Sequence, residues 1–593
     1  MPEAVRAAGR YASTAVPEPV RILSSPVRLA GPLHLAHLSA LVSTDALLRR
    51  ARAEGRPAEW LAASLAGDLA GQSAVERALA REGHDRASLG RDAFVERVRA
   101  FEAEQRAAAA RLLHDLGVDV DLEAGAIDRE PVARAARTAF VRLYEAGLLK
   151  REERVVGTCP RCATVVDPAD ADRAELDGEL LTISVADAEG GPALDVDVAA
   201  PELLPGAVAV AVPEGHVAAG RSVHVPLGAK DLPVVVDPAA DAPRIVVPAH
   251  DQADAELARR AGLGVVEVLD GEGIVCAGGP LHGLGRYAAR LAAKELLAAD
   301  QVLVAFRAEV EPAARCRRCS TVLVPRLGPH WFLAMGDLEV AAADAVREGA
   351  LTFAPAAAIE PFLERAGAGG EWCLSHQVWA GQPVPVSTCL DCNRVTVEVE
   401  QSTSCGKCMG ELVPDGGVLD ARFVGAVWPL AAAGWPGDAA AVAASAEETL
   451  LVVGHTGIAR WALPMAALGL WLAGSVPFAR VAVHEVATTP DDPDPSVSPD
   501  LPALLEAEGR RVVRAALVAG GLDLDAARDL VAAVDEPADG DADIDALVEG
   551  YLAAFAAGTP GVAVTLLATA LHQGVRPETA DRVRALAAPF LSD

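Results

Sequence analysis

Eight of the ten cysteines in this chain fall into four Cys-x-x-Cys pairs: Cys159/Cys162, Cys316/Cys319, Cys389/Cys392 and Cys405/Cys408. Cys276 and Cys373 stand alone. A Cys-x-x-Cys turn presents two thiolates from one tight knuckle, and two knuckles complete the tetrahedron that zinc takes. In a reducing compartment such pairs are zinc ligands more often than disulfides. Twelve residues separate Cys392 from Cys405, a ribbon-like spacing that points to one shared zinc. The first two pairs flank a long valine-rich stretch, where a second zinc would clasp the incoming and outgoing strands. Four thiolates leave no open position for substrate, so both ions read as structural. A dithiol redox role is the alternative.

The other chemical signal is His34-Leu35-Ala36-His37, at the start of a helix directly after strand-like residues 19–30. Histidines at i and i+3 share a face, and a helix N-terminus attracts phosphate. Two imidazoles there can donate hydrogen bonds to a triphosphate as charge develops. Taken alone, the spacing is equally that of two incidental histidines.

The surrounding pattern says what would position these groups. Residues 19–30 run as a strand into Gly31-Pro32, a turn expected to open a helix through Arg52, since proline suits a first helical position. Helical periodicity follows in 73–82, 91–116 and 131–147. After Lys150 valine-rich alternation with Pro/Gly punctuation predicts a β-rich inserted module up to about 250. Helices near 253–262 and 284–298 close it, and a strand over Gln301–Phe306 leads out. From about 326 to 490 strands and helices alternate again: Thr449–Val453, a helix through Leu472, then Ala479–Val486. That alternation predicts a parallel, doubly wound sheet. The acidic Thr488–Pro499 reads as a loop, and 500–593 reads as helical.

Composition sets the limits. With 593 residues the chain is too long for one core. Hydrophobic residues are 51%, much of it alanine, with only 4% aromatics. The formal charge of −31, from 52 basic and 83 acidic residues, repels polyanions at long range. A nucleic-acid surface would need a local basic strip. The longest apolar stretch, roughly Trp461–Leu472, is too short to span a bilayer, and the first 20 residues lack an apolar signal core. A cytoplasmic location without membrane contact is the expectation.

Several stretches, in one order, resemble class I aminoacyl-tRNA synthetases of the valyl type. Gly31-Pro-Leu-His-Leu-Ala-His37 is similar to the first class I signature, His-Ile/Met-Gly-His, and Gly67-Asp-Leu-Ala-Gly71 to the valyl Thr-Asp-His-Ala-Gly. Leu89–Val98, Phe140–Leu148, Val247–Asp251, Glu371–Gln377, Val418–Phe423 and Trp428–Pro436 continue the match, colinear from about residue 20 to 515. The resemblance implies a Rossmann-like core in two halves, 18–150 and 326–490. It places a β-rich editing-like insertion at 151–325 and a short helical region at 491–593. It also implies ATP and a valine-like amino acid as ligands and tRNA as acceptor. His34 and His37 would face the ATP phosphates, with Gly454 beside the nucleotide. Asp68 would hold the amino group of the amino acid, and Trp461 would wall its side chain. Asp251 and Asp254 match acidic positions of the editing site. Each has a plainer alternative: Asp68 a helix N-cap, Trp461 a core aromatic, Asp251 and Asp254 a solvated helix start.

The departures gather at the chemistry. Ala36 stands where the family has glycine, Thr456 where it has a ribose-binding acid, and His376 where it has an arginine. Val27 and Arg28 replace a proline and an asparagine. In place of Lys-Met-Ser-Lys-Ser the chain carries Asp491-Asp-Pro-Asp-Pro-Ser-Val-Ser498, which reverses the local field. Leu181–Ala186 stands in place of the editing strand Thr-Thr-Arg-Pro-Glu. About 95 residues follow the second signature position, few of them basic, so anticodon recognition by them is not expected. Three functions fit: an amino-acid-activating enzyme of weakened or altered activity serving tRNA or another acceptor; a non-catalytic relative that binds a protein partner; or a synthetase body recruited to other chemistry.

Overall fold

The computed structural model describes residues 20–228, 231–484, 486, 499–519, 524–535 and 585–588. They divide into two compact units. The first holds the described parts of Met1–Leu149, Leu333–Trp372 and Trp379–Asp593; the second holds those of Lys150–Phe332 and Cys373–Val378.

In the first unit β1 (Val20–Ser24) leads through α1 (Leu35–Ala53) to β2 (Ala58–Leu61), followed by α2 (Leu69–Arg81) and α3 (Arg91–Asp115). The chain later contributes β3 (Thr352–Ala354), β4 (Thr449–Gly454) and β5 (Arg480–His484). Across the sheet the order is β3-β5-β4-β1-β2, and every neighbouring pair is parallel. The apolar run Leu450–Val453 suits such a strand, because a parallel sheet is covered on both faces. This is the doubly wound sheet that the alternation predicts. The chain leaves β1 toward β2 on one side, while β4 lies on the other. The order therefore reverses between β1 and β4, and their C-terminal ends border the crevice where open α/β sheets bind ligands.

The helix expected from Gly31-Pro32 begins later: His34 is its N-cap, with φ −100° and ψ 170°, and Leu35 is the first helical residue. The buried face of α1 packs Leu38, Leu41 and Val42 into one core with Val513 and Leu517 of the helix Leu501–Val518. Helices at Leu501–Val518 and Leu524–Asp535 agree with the helical reading of the chain's last part. Residues 488–498, where the loop and the altered second signature are expected, lie outside the described residues.

The second unit is β-rich. Its longest element is an antiparallel ribbon of Ala171–Asp187 and Leu303–Cys316, paired from Leu303↔Ile183 to Cys316↔Ala171. The strand expected over Gln301–Phe306 thus runs ten residues further, to Cys316, because its partner supplies a ladder along that whole length. Alternation in Leu181, Ile183 and Val185 buries one face of the ribbon against Val210, Val223 and Val234.

Candidate functional site

The histidine corner is assembled where β1 ends. His34 caps α1 and His37 sits one turn on; their rings stack with centroids 3.6 Å apart and planes at 22°. Burial, the neighbouring His34 and then the Arg28 cation hold the His37 pKa well below its ordinary value, so this imidazole is neutral at physiological pH. Its buried Nδ1 has no hydrogen-bond partner among the described residues.

Arg28 lies on a two-residue strand, Val27–Arg28, which pairs in parallel with Ser64–Leu65; Arg28 is in register with Leu65. This pairing brings Arg28 to the start of α2, where Asp68 is the N-cap. Asp68 Oδ1 accepts from the Gly71 N–H at 2.9 Å, and Oδ2 accepts from Arg28 Nε at 2.5 Å. Asp68 is thus both an N-cap and one half of an ion pair. Its neighbour Gly67 has φ +66°, and a Cβ there would stand 2.4 Å from Gly381 Cα. Only glycine allows that approach of two backbones.

A third group at this corner was not singled out from the sequence. Glu102 on α3 is buried, and its Oε1 accepts from the Gly67 N–H at 2.8 Å. Burial first, then the charges of Asp68 and Asp128, push its pKa up to about 8. The signal was available: Glu102 continues the i, i+4 stripe of Phe94 and Val98, both wholly buried, where an apolar side chain is the norm.

Trp461 sits in a π-helical turn, Ile458–Ala462, after β4. It is 6% exposed. A Cβ on Gly425 would meet its ring at 2.8 Å and Pro26 at 3.3 Å, so the indole lies close over Gly425 near the end of β1. Gly454 ends β4 in register with His484 of β5, and a Cβ there would fall 3.4 Å from the His484 ring. Elements around the C-terminal edge of the sheet thus supply the histidines, Asp68, Trp461 and Gly454.

In the second unit Asp251 caps the helix Gln252–Ala261, accepting from the Asp254 N–H at 2.9 Å. Asp254 is buried, pairs with Arg244, and accepts from the Val247 N–H at 2.7 Å. Both carboxylates are engaged by the protein itself. Elsewhere in this unit a cavity of about 800 Å³ is lined in part by Tyr287, Arg290, Leu291 and Lys294. Arg290 is paired with Glu202 and Glu311, and Lys294 with Glu179.

The cysteines form two groups of four: Cys159, Cys162, Cys316 and Cys319 in the second unit, and Cys389, Cys392, Cys405 and Cys408 in the first. In each group the sulfurs lie within 4.8 Å of one another, with separations such as 3.4 Å for Cys159–Cys319 and 3.7 Å for Cys392–Cys405. Tetrahedral thiolates about 2.3 Å from a zinc stand roughly 3.8 Å apart, so both sets fit such an ion. All four knuckles use one turn. The N–H groups of Ala163, Ser320, Asn393 and Met409 donate to the carbonyls four residues back at 2.8, 2.8, 3.0 and 2.8 Å. Those four residues all have positive φ, between 49° and 63°.

Comparison with known proteins agrees with this arrangement. Residues 12–492 match the family model described as tRNA synthetases class I (I, L, M and V). A valine–tRNA ligase of Streptomyces coelicolor is 33% identical over 483 residues, 79% of this chain and 54% of the relative. That of Desulfotalea psychrophila is 31% identical over 475 residues, 78% of this chain and 54% of the relative. The chain spans about half the length of these curated relatives. Among solved structures, a LeuRS of Agrobacterium radiobacter, in a ternary complex with tRNA and LeuAMS, is similar with a TM-score of 0.51 and 13% identity, over 99% of this chain and 86% of that one. At that identity the likeness speaks for the fold. Sheet, histidine corner and family match converge: the chain belongs to the class I tRNA synthetases of the I, L, M and V group and is homologous to valine–tRNA ligases.

Proposed function

We propose that this chain is the activating body of a valyl-type class I synthetase, in which activation of valine itself is weakened. ATP binds over His34 and His37, beside Gly454, and a carboxylic acid binds between Asp68 and Trp461. In the reaction, a carboxylate oxygen attacks the α-phosphorus of ATP. The bond to the bridging oxygen breaks, and pyrophosphate leaves with the electron pair. The two imidazoles donate to phosphate oxygens as charge develops, and a neutral His37 is suited to donating without a competing proton loss. The acyl adenylate then passes to tRNA or another acceptor.

The observation that carries the weakening is the ion pair of Arg28 with Asp68, 2.5 Å long. A substrate ammonium would have to displace a guanidinium already in place, and the aspartates of 491–498 add the wrong charge for pyrophosphate. The two cysteine tetrads would each hold a structural zinc, which braces its knuckles and leaves no open coordination position for substrate. Asp251 and Asp254 brace the inserted unit rather than act on ester bonds. Among the described residues no helix is long and apolar enough to cross a membrane, consistent with a cytoplasmic protein. A second reading, a non-catalytic body that binds a basic protein, draws on the net charge of −31.

Valine-dependent ATP–pyrophosphate exchange tests the first reading. The expected rate with purified protein is at least a hundredfold below that of an ordinary synthetase, since one lost transition-state contact alone removes about that much. Exchange at an ordinary rate would overturn the weakening.

A further inference from the structure

The corner around Arg28 has an unusual charge balance for a pocket meant to receive an ammonium group. An ammonium needs a carboxylate with unspent charge. Asp68 has none to spare: one oxygen caps α2 and the other holds Arg28. Glu102, the other buried carboxylate here, accepts from the Gly67 N–H and keeps its proton at neutral pH because burial opposes its charge. What the corner does offer is a cation. Arg28 makes its ion pair through Nε alone, and its two terminal nitrogens have no partner among the described residues. Its side chain is 22% exposed, so those N–H groups reach solvent. Arg28 also lies close enough to His37 to help lower that imidazole's pKa. A guanidinium with a free edge is a donor fork for a carboxylate or phosphate oxygen.

We infer that this site takes a small branched carboxylic acid carrying no α-ammonium, with Arg28 standing against Asp68 where that ammonium would otherwise sit. The inference rests on the nucleotide- and acid-binding reading given above and specifies its substrate class. The side chain is taken from that same reading, in which Trp461, packed against Gly425, walls a valine-sized pocket. An α-ammonium entering here would meet a fixed like charge, which disfavours binding strongly.

The test is calorimetric titration of the full chain, first with ATP and then, with ATP present, with isovalerate, 2-oxoisovalerate and valine. The expected result is measurable ATP binding, with both ammonium-free acids binding at least about tenfold more tightly than valine. Arg28→Asn should then reverse the ranking, because Asp68 regains an unspent charge. The ranking on the unaltered chain needs no variant, so a misfolded Arg28→Asn would not remove the test. ATP binding with valine as the tightest ligand, or with all three acids silent, would overturn the inference while leaving the nucleotide site in place. Absence of ATP binding together with absence of acid binding would overturn the underlying reading itself.

Discussion

Arg514, wholly buried on the helix Leu501–Val518, donates to Asp45 Oδ2 in the middle of α1 at 2.6 Å, across 469 residues of sequence. Arg49 pairs with the same carboxylate at 2.8 Å. This buried pair fixes the helix that follows the altered signature onto the helix whose first turn carries the two histidines. Removing Arg514 leaves the buried Asp45 carboxylate with Arg49 alone and takes a donor from the Leu116 and Gly117 carbonyls. Arg514→Ala should therefore lower stability by about 3 kcal/mol, measured by urea unfolding. Joint replacement of Asp45 and Arg514 by leucine should recover much of that loss, since the apolar neighbours Val513 and Leu517 already line the contact.

Glu102 gives the corner a pH signature. Its folded pKa, raised to about 8, lies above the ordinary value of 4.5. Below both values the carboxyl is protonated whether or not the chain is folded. Between them the unfolded chain gives up the proton and the folded chain keeps it. The contribution of Glu102 to stability is thus fully present below about pH 4.5, falls as pH rises to about 8, and levels off above. Glu102→Gln keeps an acceptor for the Gly67 N–H and removes the titration. It should match the parent near pH 4.5 and exceed its stability by about 5 kcal/mol near pH 9, as a rise from 4.5 to about 8 implies. An equal difference at both pH values would show that Glu102 does not titrate in this window.

The two tetrads should load independently, because they belong to different units. Metal analysis of the purified chain should return about two zinc ions. Cys162→Ser should remove one and Cys408→Ser the other, with the remaining site unchanged. Protein free of zinc, or a loss of both ions from either single variant, would contradict separate closed sites.

Gly67 and Gly31 make a paired stability test. A Cβ at Gly67 would overlap Gly381 at 2.4 Å in a backbone conformation at φ +66°, whereas a Cβ at Gly31 meets nothing within 4 Å. Gly67→Ala should cost on the order of 3 kcal/mol, and Gly31→Ala close to nothing. Similar midpoints for the two variants would mean that the close approach to Gly381 is readily relaxed.

Local pattern alone determined a good deal. Periodicity placed α3 and the parallel strands β4 and β5, because those signals sit within one turn or one strand of sequence. Cysteine spacing paired the knuckles Cys389/Cys392 and Cys405/Cys408, because a ribbon closes over a short loop. The Gly31–His37 and Gly67–Gly71 stretches carried the family. Only tertiary structure decided what the candidate residues touch. Arg28 and Asp68 are 40 residues apart, and nothing local says that a two-residue strand pairing will set one guanidinium on that carboxylate. Asp254 reads as a surface acid until Arg244 and the Val247 N–H are found around it. Glu102 falls on the buried stripe of Phe94 and Val98, but only the fold shows that the Gly67 N–H, from another segment, is what it accepts from. Charge on a side chain is written in the sequence; whether that charge is available to a ligand depends on partners that only folding brings within hydrogen-bond distance.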